Sequence, residues 1–200
     1  MAAADRIRLP PPRYSGVFSL EEILLARRSQ RTFGREPLTV DEITQLLWAA
    51  QGVTHPNGYR TAPSAGALYP LETYAAVGHA VGLAAGFYRY DPAAHALERR
   101  SGEDLRPAFR RAALDQRAIE RAPVVFLLTA VYGRTTGRYG ERGVRYAILE
   151  AGHAAQNLCL QAAALDLGSV LIGAFRDGEI REAASLAPGE EPLYLAPVGK

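Results

Sequence analysis

Three arginines and a serine stand within five residues at Arg27-Arg28-Ser29-Gln30-Arg31. Guanidinium groups donate forked, charge-assisted hydrogen bonds and a serine hydroxyl adds another, so the segment suits a phosphate. The competing reading is that arginines ending a helix complement its macrodipole. A second segment, TAPSAGALYP from Thr61 to Pro70, is made of small residues between two prolines. Small side chains let backbone amides approach a flat ligand, although a plain tight turn has the same composition. Glu150 and His153 form an E-x-x-H pair, but carboxylate-bridged metal bundles need two such pairs and further carboxylates. His55, His79 and His95 lie at scattered spacings, so no metal site is expected and His153 reads as a core or interface histidine. Cys159 is the only cysteine, which excludes an intramolecular disulfide. Its apolar, helical setting reads as a buried structural thiol. There is no Walker loop, no G-x-S-x-G elbow and no G-x-G-x-x-G after a strand, so a Rossmann dinucleotide site is not expected.

The bulk composition narrows the classes further. A net charge of +2 lacks the basic excess of a nucleic-acid binder. The positive charge is almost all arginine; the only lysine is Lys200, so a Schiff-base enzyme would have to use the last residue. With 48% hydrophobic and 22% charged residues, the 200-residue chain is an ordinary globular sequence long enough for one domain with a sizeable core. No apolar run reaches the roughly 18 residues of a membrane span, and Met1 to Pro12 has no apolar signal-peptide core. A cytoplasmic protein without a membrane partner is the expectation.

These residues need elements to position them. Residues 1–18 read as an extended N-terminal arm, the first dozen without helix or strand, and 19–200 as a single domain. Capping-box spacing at Ser19/Glu22 and Thr39/Glu42 opens helices over Leu20–Arg28 and up to Gln51. Gly52 to Pro70 reads as a loop too long for a mere connector. Leu71–Val77 is a strand; Gly86–Tyr90 and Ala96–Arg99 form a hairpin. Glu103–Arg121 is helical with a break near Gln116, and Pro123–Val131 is a buried strand. Arg134–Gly143 reads as a glycine- and arginine-rich loop. Val144–Asp166 is the longest helix, about 35 Å at 1.5 Å per residue. Its apolar residues keep to no single stripe, so it must be buried on most faces. A domain of this size can hardly surround it, which points to a central helix that also packs on a partner subunit. Ser169–Phe175 reads as a strand, Asp177–Ser185 as a helix and Pro192–Val198 as a final strand. Helices and strands mix without a βαβ rhythm, so the fold class is α+β.

In order along the chain, RRSQRTF, TAPSAGALYPLE, RYGERGVRYAILEAGHAAQNLCLQAAALDLG, VLIGAF and PLYLAPVG resemble the nitroreductase superfamily. They most resemble its SagB-type branch, which includes azoline oxidases of thiazole- and oxazole-peptide biosynthesis. The likeness covers about Leu20 to Lys200. It implies a nitroreductase-like fold: a central mixed or antiparallel sheet flanked by helices, and a long central helix at a homodimer interface with two FMN sites built by both subunits. By the resemblance, Arg27, Arg28, Ser29 and Arg31 hold the FMN phosphate, ribityl chain and pyrimidine edge. Pro63, Ser64, Ala65, Gly66, Ala67 and Leu68 form the loop that reaches the flavin from the other subunit. Ile172, Gly173 and Ala174 lie beside the isoalloxazine near N5, and Lys200 assists at the phosphate.

The implied chemistry is ping-pong hydride transfer from NADPH or NADH through flavin N5 to a small-molecule acceptor such as a nitroaromatic or quinone. The flavin carries the reaction, and the protein positions and tunes it. Tyr139 and Arg138 match the catalytic Lys-Tyr pair of azoline oxidases, with arginine in the place of lysine. Arginine stays protonated and cannot act as a base. Ala67 stands where many nitroreductases carry asparagine, and the chain stops where relatives continue with a short basic tail. The alternatives are an azoline dehydrogenase of peptides and a non-catalytic flavin-binding module.

Overall fold

The computed structural model describes residues 6–200. The chain runs β1 (Arg6–Arg8), α1 (Leu20–Ala26), β2 (Leu38–Thr39), α2 (Val40–Gln51), a 3-10 turn (Ala65–Ala67), β3 (Leu71–Val77), β4 (Ala80–Val81), β5 (Gly86–Asp91) and β6 (Ala96–Ser101). It continues through α3 (Arg106–Ala112), α4 (Arg117–Arg121), β7 (Val124–Val131), α5 (Gly133–Tyr139), α6 (Arg142–Ala164), β8 (Gly168–Ser169), α7 (Asp177–Ala184) and β9 (Glu190–Gly199). Seven strands form one antiparallel sheet in the order β1-β6-β5-β3-β7-β9-β8, and β2 pairs with β4 in parallel. The class is α+β.

The central strands explain the unbroken apolar runs of the sequence. Val124, Phe126, Leu128 and Ala130 of β7 face one core, against α2 and α6. Val125 and Leu127 face a second core, against α3, α4 and α7. A strand buried on both faces has no polar face to alternate with. Tyr74 of β3 lies opposite Leu127, which lies opposite Leu195 of β9, so the second core is continuous across the sheet.

Both capping boxes form. Ser19 N–H donates to Glu22 Oε2 at 2.7 Å and Thr39 N–H to Glu42 Oε2 at 2.6 Å, each reciprocated from the third helical position at 3.2 Å. The helix break near Gln116 is real: Leu114 and Asp115 adopt left-handed φ of 55° and 58° between α3 and α4. Helix α6 spans 23 residues, with alanines 147, 151, 154, 155 and 162 against the sheet and α2. Its opposite face leaves Ile148 51% and Leu149 52% exposed in the single chain.

Three expectations are corrected. The Arg134–Gly143 segment is not a loop; it carries most of α5 and the first residues of α6. Its glycines weaken intrinsic helicity, but packing supplies the rest: Gly143 meets the backbone of Thr135 and Thr136 so closely that a Cβ would stand 2.6 Å away. Ser169–Phe175 is not a continuous strand. Its ladder with β9 stops after Ser169 and returns only at the Ile172–Leu195 bridge. Between them Val170 donates to Pro197 O, and Pro197 has no N–H to return. The third correction is at the N-terminus, where Arg6–Arg8 is a strand paired with β6 through Ile7↔Leu97. Residues 1–5 of the expected arm lie outside the described residues. Among the described residues, no helix is long and apolar enough to cross a membrane.

Candidate functional site

The arginine segment begins where α1 ends. Arg27 N–H closes the helix on Ile23 O at 2.9 Å. Arg28 then turns back, donating to Leu25 O and Arg27 O at 2.8 Å each, so it serves the helix end as the macrodipole reading has it. The Arg27 and Arg31 guanidinium groups have no partner within the described residues, which leaves them free for a ligand. Ser29 bridges Ser169 in parallel, and Gln30 N–H donates to Ser169 O at 2.9 Å. This joins the end of α1 to β8. Arg27, Arg28, Gln30, Cys159, Gly168, Ser169 and Lys200 line a cavity of about 170 Å³. Lys200 closes it from the end of β9, its Nζ 3.5 Å from Glu42 Oε1. Burial pushes the Cys159 thiol up, while Ser169 and the Arg27 charge pull the other way. The thiol is therefore a packing group, as the sequence suggests.

Ile172 continues the pairing with β9 at Leu195, five residues before Lys200. That is about 17 Å along the strand. Beyond it Gly173 and Ala174 are exposed, and neither N–H has a partner among the described residues. A side chain at Gly173 would meet only Tyr194, with its nearest ring atom 3.7 Å from the Cβ. The chain thus aligns basic groups at one end and unbonded backbone donors at the other.

The small-residue loop lies elsewhere on α6. Asn157 Nδ2 donates to Thr61 O at 3.2 Å, and Ser64 Oγ accepts Tyr69 N–H at 2.9 Å. Gly66, Ala67 and Tyr69 all have left-handed φ, at 61°, 53° and 46°. The loop is held in this shape from both sides. A Cβ on Gly66 would come within 2.7 Å of Tyr139 Oη and 3.1 Å of Arg138 Nη1, so the end of α5 packs directly on it. Tyr139 is fixed edge-on against Tyr146, with ring centroids 5.1 Å apart. Arg60 covers the Tyr69 ring at 4.2 Å and donates to Gln51 Oε1 at 2.7 Å.

Beneath this loop is Glu150, only 2% exposed, with both carboxylate oxygens lacking a well-formed hydrogen bond. Burial raises its pKa to about 7; the Ser64 hydroxyl and the Arg60 charge oppose the rise without cancelling it. His153, its sequence partner in the E-x-x-H pair, is exposed. The pair is split between interior and surface. Sequence spacing puts both on one helix but does not say which one the loop will cover, so the isolation of Glu150 is a finding of the structure.

Glu150 and Cys159 mark the two regions on α6. Nine residues at 1.5 Å per residue separate them by about 14 Å along the axis. One chain brings Arg27, Arg28, Ser29, Ile172, Gly173, Ala174 and Lys200 to one side. It brings Pro63–Leu68, Arg138 and Tyr139 together at a second place, and it does not join the two.

The nitroreductase family matches residues 24–200. A Methanocaldococcus jannaschii protein described as a putative nitroreductase is 47% identical over 181 residues, 90% of each chain. The crystal structure of a putative nitroreductase from Ralstonia eutropha JMP134 has a TM-score of 0.86 at 34% identity, covering 98% of this chain and 89% of that one. The Escherichia coli microcin synthetase McbBCD complex shares the fold, with a TM-score of 0.73 at 23% identity over 96% of this chain and 77% of that one. The chain belongs to the nitroreductase family and is, in general terms, a flavin-type oxidoreductase.

Proposed function

We propose that two copies of this chain build two FMN sites and catalyse ping-pong reduction of a small acceptor, such as a nitroaromatic or quinone, by NADPH or NADH. Bound FMN would supply the hydride chemistry at its N5 atom. The residues present fit that group by their donor chemistry. Arg27 and Lys200 would hold its phosphate, with Ser29 adding a hydrogen bond and Arg31 covering the pyrimidine edge. The unbonded N–H groups of Gly173 and Ala174 would donate at the N5 end, where they favour added negative charge. Ile172 anchors that segment on β9.

The observation that carries the reading is the incompleteness of each region in one chain. The small-residue loop does not reach the basic cavity of its own chain, and α6 leaves Ile148 and Leu149 exposed just before Glu150. A two-fold partner on α6 would supply the missing loop to each cavity. Tyr139 and Arg138 would then lie at the loop's side of the partner's flavin.

Tyr139 Oη, so close to Gly66, also favours a second reading, oxidation of an azoline ring in a peptide. Tyr139 could donate or orient there, but Arg138 stays charged and cannot accept a proton. An anaerobic visible spectrum of the purified protein, before and after NADPH and then NADH, decides between them. Bleaching of an oxidised-flavin spectrum supports the reductase. A flavin that stays oxidised with both donors supports the azoline reading or a binding module, and no flavin even after adding FMN refutes both reactions. Gel filtration at the mass of one chain, with FMN bound, would refute the shared site.

A further inference from the structure

A second basic cavity, of about 690 Å³, opens behind the chain end. Its lining is Phe33, Gly34, Arg35, Gly78, His79, Arg106, Arg121 and Pro123, three arginines and a histidine with no acid. It borders the first cavity through one backbone contact, Gly34 N–H donating to Lys200 O. We propose that this cavity is a second anion site, which binds a phosphate-bearing ligand separately from the FMN phosphate.

The walls are held in place before any ligand arrives. Gly78 N–H and His79 N–H both donate to Pro123 O, at 3.0 and 3.1 Å, which fixes the turn between β3 and β4. Arg106 lies flat on Gly78, where any side chain would collide with its guanidinium. Its Nε and Nη2 bind the Asp104 carboxylate at 2.8 and 2.7 Å, and its Nη1 binds Ala122 O at 2.7 Å. Three of its five N–H groups are used, and two remain. Asp104 is spent on this fork.

Arg35, Arg121 and His79 are different. Their side chains are exposed and have no hydrogen bond or ion pair among the described residues. The acid nearby in sequence, Glu36, folds its carboxylate over Gly34 and forms no ion pair. A solvated arginine on an open surface needs no explanation. Arg35 and Arg121 share one concavity, and no carboxylate pairs with either among the described residues. A phosphate or diphosphate would do so, accepting forked hydrogen bonds from the arginines. Two sources share that chemistry: the phosphates of the NADPH donor, or a separate phosphate-bearing metabolite. Only the first rests on the reductase reading above.

The test uses FMN-loaded protein, so that the first phosphate site is filled, and inorganic pyrophosphate as probe. The variant is Arg35→Gln with Arg121→Gln. Neither side chain has a hydrogen bond or ion pair among the described residues, so the variant's melting temperature should match that of the parent. Saturable pyrophosphate binding to the parent, weakened at least tenfold in the variant, is the expected result. A raised KM for NADPH, alone or together with that for NADH, then assigns the site to the donor. Unchanged KM values for both assign it to a separate metabolite. Equal pyrophosphate affinity in parent and variant, or no binding to the parent, overturns the site. This readout needs no hydride transfer, so failure of the reductase reading would not be mistaken for failure of the site.

Discussion

The arginine cavity and the small-residue loop are opposite solutions to ligand contact. The cavity presents charge with few partners: the Arg27 guanidinium has no hydrogen bond or ion pair among the described residues, and Lys200 reaches Glu42 only at 3.5 Å. The loop presents backbone, held from its own chain by Asn157, Tyr139, Arg138 and Arg134 Nη1 on Tyr69 O at 3.0 Å, with Pro63, Gly66 and Ala67 left exposed. Below it lies Glu150, a carboxylate held near neutrality. One region attracts a ligand by charge, and the other shapes the space it enters. The chain that carries both keeps them apart on α6.

The largest effect expected from disturbing this contrast is at Glu150. An acid whose folded pKa is about 7, above the ordinary 4.5, favours the fold below pH 4.5. That contribution is lost as pH rises from 4.5 through 7, by on the order of 3 kcal/mol at most. Glu150→Gln should therefore raise the melting temperature at pH 8 and leave it nearly unchanged at pH 4.5. An equal shift at both pH values would show that the Glu150 pKa is not raised. Next, Arg27→Gln should weaken FMN binding about 10- to 100-fold, the worth of roughly 1.5–3 kcal/mol for a charged hydrogen bond. The melting temperature of the apoprotein should hardly move, because the Arg27 side chain has no hydrogen bond or ion pair among the described residues.

Gly66→Ala tests the loop. It adds a Cβ at φ 61° within 2.7 Å of Tyr139 Oη, and should cost about 1–2 kcal/mol in stability. Pairing it with Tyr139→Ala should recover part of the loss, as a double-mutant cycle would measure. The smallest effect is at Ser19→Ala, which removes the α1 cap and costs about 1 kcal/mol. Since α1 carries Arg27, FMN affinity should fall slightly while the pH dependence set by Glu150 stays as it was.

Much of this was legible in the sequence because it is local. The two capping boxes, the turn near Gln116 and the doubly buried β7 are each written in a few adjacent residues. Helix α5 was not, since its glycines argue against it and the contact with Gly143 that holds it is tertiary. The gap in the β8 ladder depends on Pro197, which lies nearly thirty residues further along. For the site, residue types told which segments could meet a ligand. They did not tell that Arg28 is spent on its own helix while Arg27 is free. Nor did they separate Glu150 from His153, because burial depends on where the loop lands. The gathering of Arg35, His79, Arg106 and Arg121 from four segments has no local signal at all.

The most direct test of a site completed by two chains is a mixing experiment. Arg27→Gln and Gly66→Val, each deficient in bound FMN, would be co-expressed with different tags and the mixed dimers compared with either variant alone. In a mixed dimer one site receives both altered parts and the other receives none. Random pairing should then restore about a quarter of the wild-type FMN sites, and pure mixed dimers about half. No recovery over the separate variants would mean that Arg27 and the Gly66 loop serve the same flavin from one chain, and would contradict the shared site.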